Sequence, residues 1–142
     1  GSFSREESEA SDLFRLPGHV PERFEHDNTY STHLEQNVTE VWRRPDSEDA
    51  GYIEIMIWRP YELPVVMDTW GYEPGANVFE AATVDGYDAV FWRPAAVDPV
   101  TDSVTVAVFN RDEGVIYVAQ SAAHVPFEEV LRMTRSLYSS VE

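Results

Sequence analysis

The stretch that decides the fold is residues 103–121, which read SVTVAVFNRDEGVIYVAQS. In its first half three valines alternate with threonine and alanine, a period of two that is typical of a half-buried strand. Residues 103–109 and 115–121 flank a loop that contains glycine, so the stretch predicts a β-hairpin. We expect Ile116 and Val118 to join the valines on one face of that hairpin.

A second hairpin precedes it. Asp85-Gly86 is a strong signal for a two-residue turn, and it lies between the apolar runs 78–84 and 87–93. Such a turn fixes which side chains oppose each other across the two strands. The pairs predicted on one face are Phe79 with Trp92 and Ala81 with Val90.

A further strand and a helix complete the pattern. Tyr52–Trp58 is β-branched and aromatic, with three isoleucines on one face and Met56 and Trp58 on the other. Residues 126–139 predict an amphipathic helix, because Pro126 suits its first turn and the following acids suit its positive end. Its predicted apolar stripe is Phe127, Val130, Leu131, Thr134, Leu137 and Tyr138. Antiparallel strands followed by one helix predict an α+β fold, in which the helix covers one face of the sheet.

The domain organisation is simple. Gly1-Ser2 resembles a cloning scar, and residues 1–12 as a whole are polar and acidic, which predicts a linker or a frayed terminus. Residues 13–142 are then a single domain. Within it we expect one or two strands over 30–43 and an irregular, proline-interrupted connection over 60–77.

Composition excludes several classes of function. The 142 residues carry 26 acids and 10 bases, a net charge of −16, which argues against binding nucleic acid. The absence of cysteine excludes disulfides and thiolate metal sites. All ten bases are arginine, and an acidic surface without lysine resembles proteins of salt-loving archaea. A high-GC actinobacterial source is the alternative.

Several segments carry a family resemblance. They are residues 16–21 (LPGHVP), the turn Asp85-Gly86, residues 114–118 (GVIYV), and the pieces 127–129 (FEE) and 136–137 (SL) of the predicted helix. Together they resemble a small family of uncharacterised extracytoplasmic domains. These domains occur in membrane-anchored bacterial and archaeal proteins, including anti-sigma-factor-like and lipoprotein-carrier-like proteins. The chain departs from the family at residues 133–135, where a small alanine is usual. The resemblance implies a fold and a location at the cell surface, with no catalytic residues.

No catalytic or metal-binding motif is present in the sequence. There is no nucleophile elbow of the form G-x-S-x-G and no H-E-x-x-H pair among the four histidines. The acidic loops at 46–49 and 98–102 lack the spacing of an EF-hand. We therefore predict a protein that is not an enzyme and that needs neither a cofactor nor a metal.

The aromatic residues are the better candidates for a site. Trp70 and Tyr72 lie in a proline-punctuated loop, where exposed aromatics tend to bind something. With Met56 and Trp58 they form the predicted ligand-binding set. Asn37 begins an N-x-T sequon and is a candidate glycosylation site.

Two functions fit these observations. The first is a non-catalytic binding or sensory module on the outer side of a membrane, with a protein partner, attached to the membrane only through a removed N-terminal anchor. The second is a carrier that holds a lipid-like or apolar ligand in a cavity between sheet and helix. A cavity lined by Met56, Trp58 and Trp70 favours the carrier, whereas a filled core favours the interaction module.

Overall fold

The computed structural model describes residues 1–45, 51–61, 77–94, 104–121 and 125–139. Within these ranges the chain forms one sheet of seven antiparallel strands and two helices, which confirms the α+β class. The strands are β1 (Glu25–Tyr30), β2 (Asn37–Arg43), β3 (Tyr52–Trp58), β4 (Asn77–Val84), β5 (Tyr87–Pro94), β6 (Val104–Asn110) and β7 (Val115–Ser121). The helices are α1 (Arg5–Glu9) and α2 (Phe127–Arg135), and the order across the sheet is β1-β2-β3-β7-β6-β5-β4.

The β4–β5 hairpin has the predicted register. Phe79 pairs with Trp92 and Ala81 with Val90. Asp85 and Gly86 have φ values of 53° and 84°, so both turn residues are in the left-handed region that a type I′ turn requires. Glycine adopts that conformation without strain, which is why this dipeptide fixes the turn.

The face assignment of β7 corrects the sequence-based prediction. Ile116 pairs with Phe109 and Val118 with Ala107, whereas Tyr117 and Ala119 are the residues that share a face with the β6 valines. The turn that joins β6 to β7 holds four residues, 111–114, one fewer than expected, because β6 extends to Asn110. Since side chains alternate along a strand, an error of one residue in the turn reverses every face assignment beyond it.

Helix α2 packs on β6 and β7 and buries one side of the sheet, which we call the helix face; the opposite side is the far face. Val130, Met133, Thr134 and Leu137 are its buried residues, whereas Leu131 is only partly buried. Met133 was absent from the predicted stripe. The helical geometry ends at Arg135, so Leu137 and Tyr138 follow it in a turn.

The first twelve residues differ from the expected frayed terminus. Ser4 and Glu7 form a capping box that begins α1: the Glu7 N–H donates to Ser4 Oγ at 3.1 Å, and the Ser4 N–H donates to Glu7 Oε1 at 3.2 Å. The helix packs against β1 and buries Ser8 completely. Phe3 forms an isolated bridge with Ser31 just beyond the end of β1.

Candidate functional site

Met56 and Trp58 lie side by side on the far face. In the ladder Met56 opposes Val118 of β7, and Trp58 opposes Ile116. Both are partly buried, and with Trp92 they pack against a small buried cluster. That cluster consists of Val90, Ala107, Phe109, Ile116 and Val118. The other two predicted binding residues, Trp70 and Tyr72, lie outside the described residues.

This placement corrects the expected lining of a cavity between sheet and helix. The side chains of Met56 and Trp58 point away from α2, because Ile53, Ile55 and Ile57 occupy the helix face of the same strand. Between α2 and the sheet the described side chains are tightly packed: Tyr117, Val130 and Met133 are each 0% exposed. Phe91 and Phe127 meet edge to face there, with ring centroids 4.9 Å apart.

Asn37, the sequon residue, is engaged by its own loop. Its Oδ1 accepts hydrogen bonds from the Thr32 N–H at 3.1 Å and the Thr32 hydroxyl at 3.2 Å. The next two residues of the sequon, Val38 and Thr39, are buried in β2.

The helix face contains a second, polar feature that the sequence analysis missed. Glu40 of β2 is 0% exposed, and its position in the ladder sets it between Thr29 of β1 and Ile55 of β3. Its Oε1 accepts a hydrogen bond of 3.2 Å from the Trp42 indole N–H, whereas Oε2 has no hydrogen-bond partner. Burial of this carboxyl raises its pKa to about 8, since desolvation penalises the charged form.

His26 of β1 lies opposite Trp42 in the ladder. Its ring stacks on Trp42 with centroids 4.9 Å apart, and its Nε2 lies 2.7 Å from the Thr29 hydroxyl. Arg5 of α1 approaches Nδ1 to 3.2 Å. Burial and the positive charge of Arg5 together lower the pKa of His26, so the imidazole stays neutral near pH 7.

Glu40, Trp42, His26 and Thr29 thus form a polar centre next to α1, which reaches it through Arg5. Ser8 is buried where α1 packs against β1. The Ser8 hydroxyl, like Glu40 Oε2, has no hydrogen-bond partner. A signal for this centre exists in the sequence: Val38, Glu40 and Trp42 have the same parity in one strand, so an acid stands at a position whose neighbours on that face are apolar. A charged residue in such a position is rarely buried unless something in its surroundings compensates.

Other described polar groups connect loops or pair at the surface, whereas Arg44 Nε and Ser121 Oγ are buried without a hydrogen-bond partner. The Tyr117 hydroxyl donates to Glu113 at 2.7 Å and accepts from Arg15 at 3.1 Å, which ties the β6–β7 turn to the N-terminal segment. A depression of about 590 Å³ beside Arg59 is lined by polar residues together with Pro60 and Tyr61. Within the described ranges, no group of three or more histidines and acids is placed to hold a metal ion.

Comparisons with known protein families, with curated proteins and with solved structures find no match for this chain. No helix among the described residues is long and apolar enough to cross a bilayer. The resemblance to extracytoplasmic domains therefore stays a prediction.

Proposed function

We propose that this chain is a non-catalytic binding module that works on the outer side of a membrane and recognises a protein partner through the far face around Met56 and Trp58. The observation that carries the proposal is a difference in burial between the large side chains on the two sides of the sheet. The helix face is filled by its own core and α2. The far face has its own buried cluster, and the large side chains of Met56, Trp58 and Trp92 pack against it while part of their surface stays exposed.

The chemistry of these residues suits recognition. Tryptophan and methionine are enriched at the centres of protein interfaces, because they contribute much apolar area and adapt to the partner's shape. The net charge of −16 favours a partner whose contact surface is rimmed by lysine and arginine, since complementary charge accelerates encounter and selects against acidic proteins. The location outside the membrane rests on the family resemblance.

A photo-crosslinking experiment tests the proposal. The bait carries a benzophenone amino acid in place of Met56, and the control bait carries it in place of Tyr61, which is 96% exposed but lies off the sheet. We expect a membrane extract to give a product with a single cell-surface protein from position 56 that is absent from position 61. Adding Trp58→Ala to the first bait removes a contact of about 2 kcal/mol and lowers the yield more than tenfold.

Two outcomes contradict the proposal. One is the same set of products from both baits, which indicates that the crosslinks are nonspecific. The other is an unchanged yield with Trp58→Ala in a bait whose melting temperature is also unchanged. If Trp58→Ala lowers the melting temperature, Trp58→Phe serves in its place, because it keeps an aromatic ring in the cluster while it shortens the contact surface.

A further inference from the structure

The polar centre next to α1 joins three elements of the fold, which suggests a role beyond packing. Glu40 comes from β2, His26 and Thr29 from β1, and the Arg5 guanidinium that contacts His26 from α1. The first two strands are paired, and α1 packs against β1. The Glu40 carboxyl is completely buried in the folded chain, with one of its oxygens unpartnered.

An unpartnered carboxylate in such a place is costly, because it loses hydration on both oxygens and regains one hydrogen bond. Burial of a neutral carboxyl costs far less free energy, and its proton gives it a hydrogen-bond donor in addition to its acceptors. Arg44, which follows β2, lies over the Phe24 ring with its guanidinium carbon 4.7 Å from the ring centroid, and it makes no hydrogen bond to the Glu40 carboxyl. Glu9 of α1 adds a second negative charge, and the cation of Arg5 is directed to Glu9 and to the ring of His26.

We propose that Glu40 is a proton-operated latch for the N-terminal segment: α1 stays on the sheet while the Glu40 carboxyl is protonated and is released when it ionises. The latch is independent of what the far face binds. It makes residues 3–12 a flap at the β1 edge of the sheet, and the docking of this flap depends on pH. Rising pH opens this flap and gives water access to the polar centre.

The direction follows from the two states of the carboxyl. With α1 released, water reaches Glu40 and its pKa returns toward the ordinary value of 4.5; with α1 docked it is about 8. Between these values the docked form holds a proton that the released form lacks. The ratio of released to docked protein therefore rises up to tenfold per pH unit and levels off above pH 8.

His26 acts in the opposite sense at lower pH. Its neutral ring is favoured when α1 is docked, so acidification below its ordinary pKa of 6.5 weakens docking. The two groups oppose each other between pH 4.5 and 6.5, and only Glu40 changes above that range. The test therefore runs from pH 6.5 to 9.5.

Nuclear magnetic resonance of the full chain gives two readouts. The Trp42 indole N–H donates to Glu40, so its ¹⁵N and ¹H shifts should titrate with a midpoint near pH 8. The protection factors of the α1 amides, corrected for the base catalysis of exchange, should fall up to tenfold per pH unit between pH 6.5 and 8 and level off above pH 8. The amide of Ser8, which bonds to the Ser4 carbonyl at 2.9 Å, is a suitable reporter.

Two variants sharpen the result. Glu40→Gln keeps an oxygen for the Trp42 indole but cannot ionise, so both readouts should become flat with pH. Glu9→Gln removes the neighbouring negative charge that raises the pKa of Glu40, so the midpoint should move to lower pH. Because the Glu9 side chain is 30% exposed whereas Glu40 is completely buried, that variant should fold even if Glu40→Gln does not.

Three results overturn the proposal. The indole resonance of Trp42 does not titrate above pH 6.5 in the wild type, or it titrates unchanged in Glu40→Gln. Alternatively, the indole titrates while the corrected protection of α1 stays constant, which makes Glu40 a buried acid with no control over the helix.

Discussion

Met133 shows at the scale of a residue how the helix face is held together. It is 0% exposed, whereas Leu131 of the same helix is partly buried and Glu128 is exposed. Met133→Ala should cost about 2–5 kcal/mol through lost transfer energy and the cavity left behind. Leu131→Ala should cost roughly half as much, and Glu128→Gln should stay within about 0.5 kcal/mol. Urea unfolding of the three variants measures this order; a larger loss at Leu131 than at Met133 contradicts the packing.

Arg135 is the second residue whose role depends on the structure. From helical spacing we expect a surface position that tolerates alanine. In the structure its guanidinium makes two hydrogen bonds, of 2.9 and 2.8 Å, to the two oxygens of Asp85, and Tyr138 donates to the same carboxylate. Arg135→Ala should therefore cost about 1 kcal/mol, the upper end for an ion pair near the surface.

The ion pair between Arg135 and Asp85 makes the stability of the fold decrease at low pH. The hydrogen bond from Arg135 is the main reason why the pKa of Asp85 lies below its ordinary value of 3.8. Its contribution is therefore complete above pH 3.8 and is lost as the pH falls further. A double-mutant cycle of Arg135→Ala with Asp85→Asn, measured by urea unfolding at pH 6 and pH 3, should show weaker coupling at pH 3 than at pH 6. Equal coupling at both values contradicts the assignment.

At the scale of an element, the β4–β5 hairpin makes a testable distinction between adjacent residues. The two-residue turn makes Val84 and Tyr87 a hydrogen-bonded pair, so even-numbered residues of β4 bond to β5. The N–H and C=O groups of Ala81 then point away from β5, and those of Ala82 point toward it. Proline lacks the N–H, so Ala82→Pro should unfold the hairpin, whereas Ala81→Pro should lower the melting temperature by only a few degrees. The reverse order contradicts the register.

The elements also show what sequence patterns can and cannot predict. The isoleucines of β3 and the Asp85-Gly86 turn predict their strands correctly, because alternation and left-handed residues are local properties. The faces of Ile116 and Val118 are predicted wrongly, because they depend on the length of the β6–β7 turn. Helix α1 is missed although its Ser4–Glu7 capping box is visible in the sequence, since a short polar helix becomes stable only against β1. The polar centre is missed because burial of Glu40 is a property of the whole fold.

The charge of −16 is a property of the whole molecule. Described pairs such as Arg43 with Asp27 and Arg111 with Asp88 are exposed and compensate only a minority of the acids. Repulsion among the remaining carboxylates should destabilise the folded state in dilute buffer, and salt should relieve it. The melting temperature should rise as sodium chloride is raised toward molar concentration, with most of the rise below 0.5 M if screening is the cause. Coincident melts at low and high salt contradict this.

Met133 belongs to the core of the helix face, whereas Met56, the proposed recognition residue, lies on the far face. A ¹³C-edited nuclear Overhauser experiment on protein labelled at the methionine methyl groups tests this placement directly, with the Met56 signal assigned through Met56→Leu. The Met56 methyl should show contacts with Val118, and the Met133 methyl should show contacts with the helix-face valines of β6. Contacts between the Met56 methyl and Val130 or Met133 would place the proposed recognition residues beneath α2 and contradict the account.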